Sequence, residues 1–418
     1  MPSPLPYFLD DFPGIGGALK QRAEDFFVAE IPAYEPSGEG EHVMVEVQKI
    51  GMTTPDAVRL IARQLGVERR VVGYAGMKDA RAVTRQIMTI SGVTPEQVRE
   101  VKTDGLAVLW AERHRNKIRL GHLAGNRFVV RVREVDPMRV IALLPALAVL
   151  ERRGVANYFG QQRFGVRDEN DLLGAAFLRG DDAAVLRLLL GEPRPGVDAP
   201  QSLEAREAFA AGDHERSMSA LPHWAHSERA ALSRFIRTAD AAAAVRAVDS
   251  AVRRLWVSAL QSRMFNDVLA ARVKDIDRLI DGDIAFKHEN GACFAVPLAA
   301  AEQPRADAFE ISATGPMIGA TMLRPDGRAL EIETAALAAA GVSAEVFTAN
   351  DRDQAPGERR PLRVRPTELR AESGVDAHGP YITLGFTLPR GAYATVLLRE
   401  LMRNDDAVAQ AEAPGDSA

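Results

Sequence analysis

One carboxylate in this chain stands where chemistry is possible. Asp79 lies in the stretch Gly73-Tyr74-Ala75-Gly76-Met77-Lys78-Asp79-Ala80-Arg81-Ala82-Val83-Thr84-Arg85-Gln86. Its two glycines let the backbone turn sharply or approach a ligand closely. Lys78, Arg81 and Arg85 put cationic charge near the carboxylate, and cationic neighbours favour its ionised form. An ionised, positioned carboxylate serves as a nucleophile or a base. A turn residue bonded to nearby backbone N–H groups has the same local pattern, so spacing alone leaves both readings open.

The elements around Asp79 would have to position it. Val71-Val72 reads as a strand before the loop, and Val83 to Ile90 as a strand after it. A loop between two strands of a rigid sheet is a common place for a catalytic group. Upstream, Phe26 to Ile31 and the alternating His42 to Gln48 read as further strands. Thr54-Pro55-Asp56 opens a helix, with Thr54 as its expected cap, and Gly66 stops it. Arg59 and Arg63 share one face of that helix, either to hold phosphates or simply as a solvated side. Gly14-Ile15-Gly16-Gly17 lacks the Lys-Ser/Thr of a P-loop and the third glycine of a dinucleotide fingerprint. In Gly125-Asn126-Arg127-Phe128-Val129-Val130-Arg131-Val132-Arg133 apolar and basic residues alternate, which predicts one packed face and one cationic face suited to a phosphate backbone. Phe128 next to Asn126 offers a stacking ring beside an amide that can read a base edge, or simply a core ring. Asn157-Tyr158-Phe159-Gly160-Gln161-Gln162-Arg163-Phe164-Gly165 reads as a core-lining turn or a site wall. Residues 168–280 read as helices, 282–298 as a hairpin around Asn290-Gly291, and 350–367 as a connector. Tyr381 to Leu388 reads as a strand, followed by a helix to Arg403.

Composition narrows the classes. At 418 residues, two domains are expected. The single cysteine, Cys293, excludes an intramolecular disulfide and a multi-cysteine zinc site and suits a reducing cytoplasm. No apolar run reaches membrane-spanning length, and the first residues lack the regions of a signal peptide. The net charge of −5 hides an asymmetry: residues 59–167 carry 21 bases against nine acids, or +12. That is the footprint expected for a polyanionic partner, unless the arginines pair with acids elsewhere.

Three segments resemble the TruD family of tRNA pseudouridine synthases: Glu24-Asp25-Phe26-x-Val28-x-Glu30, the Gly73 to Gln86 stretch, and Asn157-Tyr158-Phe159-Gly160-x-Gln162-Arg163-Phe164-Gly165. Gly125-Asn126-x-Phe128 and Leu388-Pro389-x-Gly391-x-Tyr393-Ala394-Thr395 agree with it. The resemblance implies an α+β fold: a pseudouridine synthase catalytic domain with a mixed, mainly antiparallel sheet, plus an inserted α/β domain. It assigns 1–153 and 368–404 to the catalytic domain and 154–367 to the insertion. The acidic remainder, 405–418, is expected to be disordered.

The implied reaction converts uridine to pseudouridine in tRNA, at position 13 in the D-arm region, with no cofactor and no metal. Asp79 matches the catalytic aspartate and Lys20 the basic residue beside it. Phe128 would stack on the target base, while Phe26, Asn126 and Tyr393 match positions lining the substrate pocket. Many relatives have Phe at the last of these, so the hydroxyl of Tyr393 needs a partner if buried. A monomer in the cytoplasm is expected from the family. Two rivals remain. One is a non-catalytic RNA-binding protein of this fold, which the intact Lys78-Asp79 disfavours. The other is a retaining glycosidase, which needs two carboxylates about 5–5.5 Å apart, where this motif offers one.

Overall fold

The computed structural model describes residues 5–349 and 357–412. The described residues form two compact units, Tyr7–Val155 together with 364–412, and those within Ala156–Arg363 together with residues 5 and 6.

The first unit is built on a nine-stranded sheet. Its strands include β1 (Phe26–Pro32), β2 (His42–Ile50), β3 (Val72–Tyr74), β4 (Val83–Ser91), β5 (Lys102–Thr103), β6 (Leu106–His114) and β7 (Leu123–Arg133), together with the hairpin Thr367–Asp376 and Gly379–Pro389. The hairpin pairs with β7, and the order continues through β1, β4, β2, β6 and β5, with β3 attached to β4. Only β1 and β4 run parallel; the remaining pairings are antiparallel. The sheet is thus mixed and mainly antiparallel, and with the helices it makes an α+β fold. Val43, Val45 and Val47 of β2 and Met88 and Ile90 of β4 bury one face, which the helix Thr54–Leu65 covers with Val58, Ile61 and Ala62. Alternation along β2 and helical spacing in 54–65 put these residues on facing surfaces.

Three local expectations change. The cap of the helix Thr54–Leu65 is Thr53, whose hydroxyl accepts from the Asp56 N–H at 3.2 Å. Two successive threonines precede the proline, and the one left inside the helix is free for other bonds. The stretch 350–367 is more than a connector: Glu358–Pro361 is a strand antiparallel to Ile311–Met317, and residues 350–356 lie outside the described residues. The tail read as disordered over 405–418 is helical over Asp405–Glu412, with Val408 and Ala411 buried. Asp405 and Asp406 complement the positive end of that helix, and the two apolar residues share its inner face. Asn404 accepts from the Ala407 N–H at 3.2 Å. Residues 413–418 lie outside the described residues. Ending the chain at Asn404 is expected to destabilise the first unit by about 1–2 kcal/mol, the burial of one valine side chain and part of an alanine. A thermal melt measures this, and an unchanged midpoint would show that the helix adds nothing.

In the second unit the long helix Ser250–Arg272 packs on Asn170–Leu178. Strands Asp283–Lys287 and Cys293–Val296 form the hairpin around Asn290-Gly291, and Ile311–Met317 and Glu358–Pro361 complete an antiparallel four-stranded sheet. The aromatic motif beginning at Asn157 is a core-lining turn. Tyr158, Phe159 and Phe164 are buried. Asn266 of the long helix holds both the N–H and the carbonyl of Phe159, at 2.9 and 3.0 Å.

Candidate active site

The loop from Ala75 to Ala82 joins β3 to β4, so both its ends are anchored in the sheet. Side chains from other elements hold its interior. Thr54 accepts from the Lys78 N–H at 2.9 Å and donates to Gln86 at 3.1 Å, and the Gln86 amide donates to the Gly76 carbonyl. Gly73, just before the loop, needs its bare Cα: a Cβ there would lie 2.3 Å from the Ile118 carbonyl oxygen.

The cations expected around Asp79 are placed differently. Lys78 turns inward to pair with Glu30 of β1 at 2.8 Å, and Arg85 donates to Gln48 at 3.1 Å. Arg81 contributes only its backbone N–H, 2.8 Å from Oδ1 of Asp79. The cation at the carboxylate is Lys20, whose ammonium donates to Oδ2. Lys20 sits at φ +50°, a left-handed conformation uncommon outside glycine. Its approach is fixed by Ala18, which exchanges two backbone hydrogen bonds with Arg133 of β7. Gly17, at φ +89°, could carry no side chain there, since its Cβ would meet Val132 and the Arg133 carbonyl at 2.5–2.6 Å. The Lys20 ammonium also donates to the Ala411 carbonyl at 2.7 Å, so the unexpected C-terminal helix reaches this site.

Aromatic rings adjoin the ion pair. The Lys20 ammonium stands 4.7 Å from the Phe26 ring centroid. Phe26 meets Phe128 edge to face at 6.4 Å, and Phe128 stacks on Phe386 at 5.1 Å. Phe128 is 8% exposed, so it is a core ring in this state of the protein as well as a neighbour of the site. Contacts thus link Lys20, Asp79, Phe26 and Phe128. Asn126 is related to them by strand register, and Tyr393 only by its place after the strand paired with β7. Asn126 lies between Glu30 of β1 and Leu388 of the hairpin, and its side-chain oxygen is buried without a hydrogen-bond partner among the described residues. Tyr393 is half-buried at the head of the helix Ala394–Met402, just beyond the strand that ends at Pro389.

The basic face of β7 is largely committed within the unit. Arg133 is buried and binds Asp25 through two bonds of 2.7 Å and Asp376 through two of 3.0 Å. The paired guanidinium holds the Asp376 carboxyl well below its usual range. Arg127 pairs with Glu368 at 2.9 Å and Arg131 with Asp376 at 3.6 Å. On the helix, Arg59 pairs with Asp56. Asp25, Glu368 and Asp376 lie far along the chain from their arginines, so the run of bases alone overstates the free charge.

A fold and a site of this kind define a class, and comparison with known proteins agrees. The family model for tRNA pseudouridine synthase D (TruD) matches residues 4–401. Proteins named tRNA pseudouridine synthase D are similar throughout: that of Geotalea daltonii is 44% identical, covering 96% of this chain and all of the relative, and that of Geobacter metallireducens is 46% identical, covering 95% and 97%. A solved structure from Methanosarcina mazei assigned to TruD superposes with a TM-score of 0.83 at 29% identity, covering 96% of this chain and 97% of that one. The chain belongs to the tRNA pseudouridine synthase D (TruD) family. No helix among the described residues is long and apolar enough to cross a membrane.

Proposed function

We propose that this enzyme isomerises uridine to pseudouridine at position 13, in the D-arm region of tRNA, with Asp79 as its catalytic aspartate. The observation that carries this reading is the Asp79 carboxylate itself, held on an anchored loop by the Lys20 ammonium and the Arg81 N–H. In the reaction the N1–C1′ bond breaks, the uracil turns over, and a C5–C1′ bond forms. The C5 proton leaves and N1, which carries no proton in uridine, takes one up, so atoms and electrons balance without a redox equivalent, and the enzyme works without a cofactor. Asp79 either attacks C1′ or takes a proton from C2′; one carboxylate serves both routes.

The unit carrying all six site residues is the catalytic domain, and Ala156–Arg363 is the domain inserted into it. Asn126 and Phe128 receive the base, with Phe26 and Tyr393 at the pocket wall. The unpartnered Asn126 oxygen supports this role, because a buried acceptor without a donor is costly until a ligand N–H reaches it. The uridine must leave its stack, at a cost of a few kcal/mol that is least in a loop or disrupted region. Exposed bases such as Arg63 and Arg81 offset that cost through phosphates, and binding weakens as salt rises. The enzyme acts as a cytoplasmic monomer.

Tritium release from C5-labelled uridine in bulk tRNA tests the reaction, and carbodiimide-blocked primer extension maps its position. Release without a stop at position 13 would move the site elsewhere in tRNA; binding without release would leave an RNA-binding protein. Asn126→Ala should raise KM by about three- to tenfold, the loss of one net hydrogen bond, with kcat less affected. Steady-state kinetics on tRNA reads this, and an unchanged KM would remove Asn126 from the pocket.

A further inference from the structure

Lys49 stands at the inward end of β2, in step with Val43, Val45 and Val47, and is 1% exposed. Its ammonium donates to three backbone carbonyls: Met52 at 2.6 Å, Asp79 at 3.0 Å and Lys78 at 3.4 Å. Two of these belong to the loop that carries the proposed catalytic carboxylate. We propose that Lys49 is a positioning residue for the reaction: its buried ammonium gathers the Lys78 and Asp79 carbonyls and so sets the direction in which the Asp79 side chain leaves the loop. The proposal rests on Asp79 being the catalytic aspartate.

The physical argument is one of donors. A protonated lysine has three N–H donors, matched here by three carbonyls. Buried carbonyls need partners, and no solvent reaches this ammonium to replace it. A neutral lysine keeps two donors and turns a lone pair towards the third carbonyl, so the loop loses a hold. Burial pulls the Lys49 pKa down to about 8, and Lys78 acts in the same direction, while Asp79 and Asp56 oppose them. The Lys20–Asp79 pair restrains the carboxylate, and Lys49 restrains the backbone that carries it. Neither hold substitutes for the other, because one acts on Oδ2 and the other on the main chain.

The test is kcat, KM and tRNA affinity for wild type, Lys49→Met and Lys49→Arg across roughly pH 6.5 to 9.5. The expected wild-type kcat falls as pH rises through about 8. Lys49→Met should lose about tenfold to a hundredfold in kcat, as misplaced reacting groups do, with tRNA affinity unchanged. Lys49→Arg keeps its charge throughout and should abolish the alkaline fall whatever its absolute rate. A Lys49→Met enzyme with wild-type kcat would overturn the proposal. If that variant does not fold, an alkaline fall retained by Lys49→Arg would overturn it equally. Asp79→Asn is run in parallel: an active Asp79→Asn sinks the underlying reading, whereas an inactive one beside a fully active Lys49→Met sinks this inference alone.

Discussion

Asp79→Asn should form no measurable pseudouridine, a fall of about a thousandfold or more, because the amide is neither a nucleophile nor a base. The substitution is nearly isosteric, and its carbonyl oxygen can still accept the Arg81 N–H that now reaches Oδ1 at 2.8 Å. Lys20 loses its counter-charge but keeps the Ala411 carbonyl. The Asp79 side chain is 38% exposed but that of Lys20 only 5%, so the variant leaves a largely buried ammonium without its counter-charge, and the melting midpoint should fall modestly. The affinity for tRNA should stay within about twofold, since phosphate contacts made elsewhere dominate it. A loss of activity far larger than the loss of stability, with binding retained, isolates the chemical step. Single-turnover tritium release with excess enzyme is the decisive assay. Release by the variant at the wild-type rate would mean that another group does the chemistry.

How far the sequence led depends on the range over which each residue acts. The strands around Asp79 were legible because alternation is a local property, as in His42 to Gln48. The loop was legible because glycines and a lone carboxylate mark it. The ion pairing was not. Lys78, Arg81 and Arg85 are the near neighbours, yet Lys20, 59 positions upstream, supplies the ammonium; only the family resemblance pointed to it. Pairing across a sheet is decided by strand order, which local pattern does not encode. The same limit explains Arg133, which alternates like a phosphate-binding residue but is buried against Asp25 and Asp376. Lys49 did carry a local signal: a lysine at an inward position of an otherwise apolar alternation. The helix Asp405–Glu412 was hidden by acidic composition, since its stability comes from burying Val408 and Ala411 on the first unit and not from its own propensity.

Lys78→Met should destabilise the first unit by about 3–5 kcal/mol, the cost of leaving one member of a buried ion pair alone. Glu30 is fully buried and the Lys78 side chain is 8% exposed, so water cannot take over the lost partner. The pair also joins two motifs that are remote in sequence, Glu30 on β1 and Lys78 beside Asp79, so activity should fall with stability. Burial already pushes the Glu30 carboxyl above its usual range, and the attraction of Lys78 opposes that shift. Without Lys78 the carboxyl is pushed up further. A group whose folded pKa lies above its unfolded value, about 4.3 for Glu, adds stability below that value and loses it as pH rises through the folded pKa. The destabilisation by Lys78→Met should therefore be smaller near pH 5 than near pH 8, since protonated Glu30 needs no counter-ion. Glu30→Gln combined with Lys78→Met removes both charges and should recover most of the loss at either pH, as replacing both partners of a buried pair often does. Denaturant melts of the three proteins at both pH values read the whole pattern. A loss for Lys78→Met that is the same at both pH values would show that Glu30 does not sense the lysine, and that the pair does not anchor the Asp79 loop.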